Sequence, residues 1–352
     1  MIKSEPFGKT ADGRKITLFT VTNHNRTELK VTDIGAVWVG MLVKDRNGDM
    51  RDVILGLESG EEYELRSGDA LGAIVGRNCN RISGHRFVLD GKEYVLADND
   101  CGNNLHSGPD MYFTRLWDAE TVSDERGEGI AFSLVSPDGD QGMPGNLNIT
   151  VTYILTEDDS VEIEYRAVSD ADTVVNMTNH AYFNLGGHDS GDIFDEKIMV
   201  EADGFTCGMN GTVTDGKIYP VCGTPLDFRK LKRVGDGIDS DFMNMKDKRG
   251  YDHNFCLNNS SGETEFAAKV VNERTGIAMD IFTDMPGLQI YTGNYINEKN
   301  KGKDGASYRP HCGTAYETQF YPDAVNHPEF PSPVLSAGEE YLKHTVYHLY
   351  TV

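Results

Sequence analysis

The chain has 352 residues, 38% of them hydrophobic and 25% charged, which is ordinary globular usage and predicts a folded protein with a sizeable core. Lys and Arg total 33 against 56 Asp and Glu, a formal net charge of -23. Because this charge repels phosphate backbones and anionic membrane surfaces, we expect neither nucleic acid nor a membrane as a partner.

The amino-terminal residues contain no apolar run long enough for a signal-peptide core, and no later segment approaches the about 18 apolar residues of a membrane-spanning helix. We therefore expect a cytoplasmic protein. The six cysteines are scattered without a CxxC pair, which predicts free thiols and counts against a zinc site.

The apolar pattern is mainly of period two, which is typical of half-buried strands. It begins with Ile16, Leu18, Phe19 and Val21 and returns in residues 147–153 and 160–168. Turn clusters such as DRNGD, LDGKEY, SPDGD and TEDDS separate these runs. The sequence predicts an all-β protein, a large antiparallel β-sandwich forming a single domain over residues 1–352, with only short helices, for example around Gly60 to Leu65 and in the Leu226 to Val234 region.

Polar motifs punctuate this pattern. In VGRNCNRISG, Arg77 and Arg81 lie four residues apart beside Asn80, a set of donors suited to vicinal hydroxyls or a carboxylate. A surface turn with solvated arginines is the alternative. In NNLHSGPD, a loop can present His106 to a cleft, or His106 can be a partly buried histidine with its hydrogen bonds satisfied.

The segment VVNMTNHAYFNLGGH interleaves amides and His180 with the aromatic residues Tyr182 and Phe183. A sugar needs hydrogen-bonding groups around its rim and an apolar platform for its C–H face, so this segment favours a sugar site over a strand end with two core aromatics. Asp252 in GYDHNF can accept two hydrogen bonds from neighbouring hydroxyls or cap a turn.

PGLQIYTGN places Gln289 in a strand, and GTAYETQFYPDAVNHPEFP places Glu317 among apolar and aromatic residues. Desolvation there raises a carboxyl pKa toward the range of a base at neutral pH, which makes Glu317 the best catalytic candidate. The alternative is a structural ion pair with Arg77, Arg81 or Arg309. The chain has no GxxxxGK[ST] loop, strand-linked GxGxxG, HExxH or GxSxG motif, so nucleotide, dinucleotide, zincin and α/β-hydrolase chemistry lack their usual supports.

In chain order NRISG, LHSG, TNHAYFNLGG, YDHNF, PGLQIYTGN and YETQFYPDAVNHPEFPS resemble the galactose mutarotase (aldose 1-epimerase) family. The resemblance spans residues 75–332, and TNHAYFNLGG and ETQFYPDAVNHP are its specific motifs. It implies the galactose mutarotase-like supersandwich, a small-molecule aldose as substrate, and no metal or organic cofactor. We expect a monomer or a homodimer.

By matched position, the resemblance implies that Glu317 takes the proton from the anomeric hydroxyl and that His180 protonates the ring oxygen. The residues implied to hold the sugar hydroxyls are Arg81, His106, Asp252 and Gln289, with Asn80 and Tyr182. His180 must then be protonated at working pH, so we expect its pKa to be raised if a carboxylate is nearby.

Two thiols, Cys79 and Cys312, stand beside key segments and are expected to tune the wall of the pocket. Two alternative functions remain open. A hexose-6-phosphate 1-epimerase on the same fold would need a further cationic cluster for the phosphate. A non-catalytic sugar-binding module would need the aromatic and amide contacts without both His180 and Glu317.

Overall fold

The computed structural model describes residues 1–65, 68, 70–207, 213–243, 245–259, 261–296 and 301–352. The helices are α1 (Gly60–Leu65) and α2 (Met245–Lys248), with 3-10 turns at Ser83–His85, Tyr112–Thr114, Asp140–Gly142, Val234–Asp236, Lys303–Gly305 and Ala324–Asn326. The strands are β1 (Ile2–Lys9), β2 (Lys15–Thr22), β3 (Glu28–Thr32), β4 (Val37–Lys44), β5 (Met50–Asp52), β6 (Ile74–Val75), β7 (Arg81–Ile82), β8 (Arg86–Leu89), β9 (Lys92–Val95), β10 (Asn104–Leu105), β11 (Asp118–Ser123), β12 (Gly127–Ser136), β13 (Leu147–Thr156), β14 (Ser160–Ser169), β15 (Thr173–Val174), β16 (Thr178–Asn179), β17 (Tyr182–Phe183), β18 (Lys197–Val200), β19 (Ala202–Thr206), β20 (Ile218–Pro220), β21 (Lys232–Arg233), β22 (Asp252–Leu257), β23 (Glu265–Val271), β24 (Ile277–Thr283), β25 (Gly287–Tyr291), β26 (Thr314–Gln319), β27 (Val334–Leu335) and β28 (Glu340–Thr351).

Three large sheets dominate the architecture. They are a five-stranded sheet (β1-β2-β3-β4-β5), a nine-stranded sheet (β11-β12-β13-β14-β28-β24-β23-β18-β21) and a six-stranded sheet (β17-β26-β25-β22-β19-β20). Ladders between β10 and β7, β16 and β6, β15 and β27, and β8 and β9 join the loops. Neighbouring strands within the large sheets pair antiparallel, which confirms the predicted all-β, antiparallel architecture.

The main hydrophobic core lies where the three sheets meet. Trp38 of the five-stranded sheet is fully buried and makes edge contacts with Tyr153 and Tyr347 of the nine-stranded sheet and with Phe183 of the six-stranded sheet. Phe183 and Tyr347 stack with their ring centroids 5.2 Å apart. Edge-on and offset aromatic pairs of this kind add attraction beyond the burial of apolar area.

The six-stranded sheet is further attached to the nine-stranded sheet by polar contacts. The Tyr347 hydroxyl donates to the backbone oxygen of Tyr316 at 3.0 Å, and the hydroxyls of Thr318 and Thr345 lie 2.6 Å apart. Both pairs are buried and hold β26 at a fixed distance from the nine-stranded sheet. The side chains of β26 that point away from this contact are therefore held firmly.

Of the two short helices predicted from the sequence, the structure contains one. The helix predicted near Gly60 to Leu65 is confirmed as α1. The prediction of a helix from Leu226 to Val234 is wrong. This segment makes a turn closed by Thr224, and it then forms β21, which pairs with β18 at the edge of the nine-stranded sheet with Lys197 opposite Arg233. Among the described residues, no helix combines the length and apolar character needed to cross a membrane.

Candidate active site

A central cavity of about 520 Å³ opens beside the six-stranded sheet. All eight residues predicted from the sequence contribute to its wall. They are Asn80, Arg81, His106, His180, Tyr182, Asp252, Gln289 and Glu317. Residues from six separate sequence segments thus converge on one space, as expected of a ligand site with an apolar wall and a few directed polar groups.

Three of the polar groups come from neighbouring strands of the six-stranded sheet. Gln289 of β25 lies directly opposite Glu317 of β26, and Asp252 stands at the start of the adjacent strand β22. The Gln289 side-chain amide donates to the Asp252 carboxylate at 2.6 Å. Strand register therefore determines the spacing of these groups, and no loop has to be ordered to bring them together.

His180 enters from the link between β16 and β17. Its backbone N–H donates to Ala73 at 2.8 Å and its carbonyl accepts from Gly72 at 3.0 Å, so the link is hydrogen-bonded on both sides. The imidazole Nε2 lies 3.6 Å from a Glu317 carboxylate oxygen. Tyr182 packs against the imidazole with ring centroids 5.0 Å apart.

Asn80 and His106 hold each other in place beside His180, whose ring centroid lies 5.6 Å from that of His106. The His106 N–H donates to the Asn80 carbonyl at 3.0 Å, and the Asn80 N–H donates to His106 Nδ1 at 3.1 Å. Both residues have positive φ, 57° and 53°, a conformation that costs energy outside glycine and is often found at functional sites. Since Nδ1 accepts a hydrogen bond, the neutral His106 ring carries its own proton on Nε2.

Burial controls the charge of Glu317. The residue is 2% exposed, one of its carboxyl oxygens lacks a hydrogen-bond partner among the described residues, and desolvation together with the charge of Asp252 raises its pKa to about 8, against the opposing effect of Arg81. This agrees with the raised pKa expected for a carboxyl in an apolar strand.

The predicted rise of the His180 pKa is wrong. Desolvation is the largest influence and lowers the pKa of His180 to about 4, although a hydrogen bond and the charge of Asp252 act in the other direction. Burial likewise lowers the pKa of His106 well below its ordinary value. At pH 7 the imidazoles of His106 and His180 and the carboxyl group of Glu317 are therefore neutral.

Three residues of the cavity, His106, His180 and Glu317, are of types that bind metal ions. Ligand atoms of His106, His180 and Glu317 lie within 4.8 Å of one another. A metal-bound histidine normally donates its second ring N–H to an acceptor, but His106 Nδ1 accepts a backbone N–H and so leaves the proton on Nε2. The arrangement suits His106 as a hydrogen-bond donor and does not fit a metal ligand.

Arg77 and Arg81, which lie four residues apart in the sequence, separate in the structure. Arg77 is fully buried and donates to backbone oxygens of Ser136, Pro144 and Gly145, away from the cavity. Arg309 lies 4.0 Å from Asp192 and does not pair with Glu317. Cys79 and Cys312 pack in a core cluster and do not line the described cavity wall, so their tuning of this wall stays a prediction. All six cysteines are thiols and not disulfides, as predicted.

The cavity also contains residues that sequence reasoning missed. Tyr291 lies 6.2 Å from His180 and 6.0 Å from Tyr182 between ring centroids. The period of two could have identified it, because residues two apart in β25 share a face with Gln289. The rest of the missed wall comes from loops, a 3-10 turn and the two-residue strand β10, which carry no such signal: Gly68, Ala70, Asn99, Leu105, Pro109, Met111, Phe113 and Tyr295.

Comparison with known proteins gives a consistent result. The model of the aldose 1-epimerase family matches residues 17–348. Galactose mutarotase of Sus scrofa is 42% identical over 318 residues, 90% of this chain and 89% of the relative, and aldose 1-epimerase of Escherichia coli (strain K12) is 36% identical over 342 residues, 96% of each chain.

Solved structures agree. The structure of galactose 1-epimerase from Lactobacillus acidophilus NCFM has a TM-score of 0.87 at 26% identity, covering 100% of this chain and 99% of the other. An aldose epimerase homologue from C. elegans has a TM-score of 0.85 at 28% identity, covering 95% and 99%. The chain belongs to the aldose 1-epimerase family.

Proposed function

We propose that this protein is an aldose 1-epimerase that interconverts the α and β anomers of aldohexoses such as galactose and glucose. The observation that carries the proposal is the 3.6 Å approach of His180 Nε2 to Glu317 within a cavity lined by further hydrogen-bonding groups. Opening a hemiacetal ring removes a proton from O1 and delivers one to O5. Both oxygens are bonded to one carbon, so the base and the acid must lie close together.

In the forward step, ionised Glu317 accepts the O1 proton while protonated His180 donates to O5. The open-chain aldehyde rotates about C1–C2, and reversed transfers close the ring on its other face. Arg81, His106, Asp252 and Gln289 hold the hydroxyl groups, with Asn80 beside them, and Tyr182 supplies an apolar surface. His106, neutral with its proton on Nε2, serves as a donor.

The protonation states support this cycle. The ion pair that starts it and the neutral pair favoured by burial contain the same number of protons. Ring opening converts the first into the second, so the neutral pair is the state in which the enzyme holds the open-chain sugar. Burial favours the neutral pair, so transfer of the proton from Glu317 to His180 before ring opening costs free energy, and ring opening relieves this cost by returning both groups to their neutral forms.

The alternative of a hexose-6-phosphate 1-epimerase has less support. Arg81 is the only lysine or arginine among the described residues that line the central cavity, whereas a phosphate usually requires several cationic groups.

Polarimetry of freshly dissolved α-D-galactose and α-D-glucose tests the proposal. We expect the parent protein to accelerate mutarotation and Glu317→Gln and His180→Asn each to lose about 10²–10⁴-fold in rate, the typical contribution of one proton transfer. Circular dichroism and urea unfolding must show both variants folded. Parent-like rates in both would refute the mechanism, and sugar binding without acceleration by the parent would instead indicate a binding module.

A further inference from the structure

Arg81 lies at the edge of the central cavity, between carboxyl groups inside the cavity and one outside it. Its side chain is 16% exposed, and the charges that act on it come from Asp252 and Glu317 inside the cavity and from Asp100 outside it. Burial lowers the pKa of Arg81, but these three carboxyl groups outweigh burial and the pKa is raised. The guanidinium therefore has alternative partners on two sides.

The structure places the ion pair on the outer side. Arg81 Nε lies 2.6 Å from an Asp100 carboxylate oxygen, and the Asp100 side chain is 22% exposed. Asp100 is not among the described residues of the cavity wall. Its carboxylate meets the cavity through its ion pair with Arg81.

The backbone of Asp100 is itself held in a tight turn. Its N–H donates to the Asn103 carbonyl at 3.2 Å, the Asn103 N–H donates back at 3.0 Å, and the Asn103 side-chain amide donates to the same Asp100 carbonyl at 3.1 Å. Asn104 and Leu105, directly after this turn, form β10. This strand pairs with β7, whose first residue is Arg81. The carboxylate and the guanidinium are thus presented by two paired segments.

This geometry divides the five N–H donors of the guanidinium. The Nε–H is committed to Asp100, which leaves the Nη groups for the cavity. Without the outer carboxylate, Asp252 and Glu317 would be the remaining acids acting on Arg81. The guanidinium would then move inward, use donors and fill space that the sugar needs, and stabilise the ionised form of Glu317, which lowers the pKa of Glu317.

We propose that Asp100 is a positioning residue that holds Arg81 back from Asp252 and Glu317, so that the guanidinium stays available to the substrate. The proposal rests on the proposed epimerase function, in which Arg81 contacts sugar hydroxyls.

The test compares Asp100→Asn with the parent in full-length protein, by polarimetry over a range of galactose concentrations and pH. We expect KM to rise about tenfold with kcat changed less than about threefold, because a binding contact is lost and the proton-transfer pair is retained. The alkaline limb of the pH profile moves to lower pH as Arg81 approaches Glu317. Asp100→Glu, which keeps the charge, recovers most of the parent KM.

Asp124→Asn is the matched control. Asp124 pairs with Arg126 at the same distance of 2.6 Å, with more exposed side chains at 37% and 31%, and neither residue is on the described cavity wall. It should leave KM and the pH profile unchanged. Parent-like KM and pH profile in Asp100→Asn would overturn the proposal, as would a fall in kcat at constant KM or a KM in Asp100→Glu as high as in Asp100→Asn.

Calorimetric titration with galactose separates this inference from the proposed function. If the parent binds galactose without accelerating mutarotation, the epimerase function fails, and the positioning role is then judged on affinity alone. A roughly tenfold weaker Kd in Asp100→Asn supports it, and an unchanged Kd contradicts it. Urea unfolding of both Asp100 variants checks that a changed Kd does not come from loss of the folded state.

Discussion

At the scale of single residues, burial determines the protonation of His180 and Glu317 more than any neighbouring charge does. Desolvation is the leading influence on both, lowering the pKa of His180 to about 4 and raising the pKa of Glu317 to about 8. Because the groups lie 3.6 Å apart, they titrate as a coupled pair. Between these limits the pair holds one exchangeable proton.

The proposed reaction requires that single proton, which predicts a bell-shaped pH dependence. We expect kcat/KM for galactose to be flat in the neutral range. It should fall below about pH 4, where a second proton blocks Glu317, and above about pH 8, where the last proton leaves. Polarimetry corrected for buffer-catalysed mutarotation measures it. A rate that stays constant well above pH 8 would contradict a one-proton pair.

The same burial predicts a stability cost at Glu317. Above pH 4.5 an unfolded carboxyl ionises while the folded one stays protonated up to about pH 8, so the folded state binds more protons and the free energy of unfolding declines with rising pH. Glu317→Gln lacks this loss. Its stability relative to the parent should grow by on the order of 1 kcal/mol per pH unit across this window, as measured by urea unfolding.

The exposed Glu157 provides the control. Hydrogen bonds from His24 lower the pKa of its carboxyl, so Glu157→Gln removes a carboxylate that is not penalised by burial. Its stability relative to the parent should not grow between pH 4.5 and 8. An equal gain in both variants would assign the effect to net charge and not to the buried carboxyl.

The sequence identified Glu317 and His180 as candidate site residues, but it did not predict the protonation state of His180 correctly. Glu317 is conspicuous as a carboxylate in an apolar strand, and His180 as an imidazole among amides and aromatics. The depth of burial depends on which sheets cover a residue, and the one-dimensional pattern does not contain it. The expected charged His180 was therefore wrong in direction, and Asp100 was not noticed because only its contact with Arg81 distinguishes it from other turn acids.

At the scale of elements, Lys303 attaches the segment before β26 to the five-stranded sheet. Its ammonium donates to the Val39 carbonyl and the Asp52 carboxylate, each at 2.7 Å, and the side chain is 10% exposed. Desolvation lowers the pKa of Lys303, against the attraction of Asp52. The contact joins residues more than two hundred positions apart and so constrains how the sheets meet.

Lys303→Met should therefore be costly. It leaves a largely buried Asp52 carboxylate without its counter-ion, and we expect a loss of about 3 kcal/mol in urea unfolding. Lys197→Met is the comparison, since Lys197 pairs with Glu273 at 2.6 Å on an exposed surface, where such pairs contribute about 0–1 kcal/mol. Equal losses in the two variants would show that burial of the Lys303 pair is unimportant.

Elements were predictable where one face is buried. In β13 the residues Leu147, Ile149, Val151 and Tyr153 are all buried, as their alternation indicated. The two-residue strands β6, β7, β10, β16 and β17 are too short for any period to be recognised, yet several of them carry the cavity wall. Their positions follow from pairing with distant segments, which local patterns do not encode.

At the scale of the whole molecule, net charge and cavity chemistry act in different ways. The chain carries a formal charge of -23, while its described cavity wall contributes one cation, Arg81, against Asp252 and Glu317. A neutral sugar is not steered by this field, but a dianionic sugar phosphate is repelled.

The contrast predicts a dependence on salt that discriminates between substrates. We expect kcat/KM for galactose to change less than about twofold with added NaCl, because screening acts only on charged partners. Any turnover of glucose 6-phosphate should be slower and should rise with salt. Polarimetry at matched pH measures both. Faster turnover of the phosphate at low salt would instead support the hexose-6-phosphate 1-epimerase.

The burial of Trp38 has a practical consequence for these experiments. The chain has two tryptophans, and both are inside the protein, at 0% and 3% exposure for Trp38 and Trp117. Neither belongs to the described wall of the central cavity. Intrinsic tryptophan fluorescence should therefore report loss of the junction between the sheets while remaining nearly silent to galactose, so unfolding curves can be recorded with ligand present without an optical signal from binding itself.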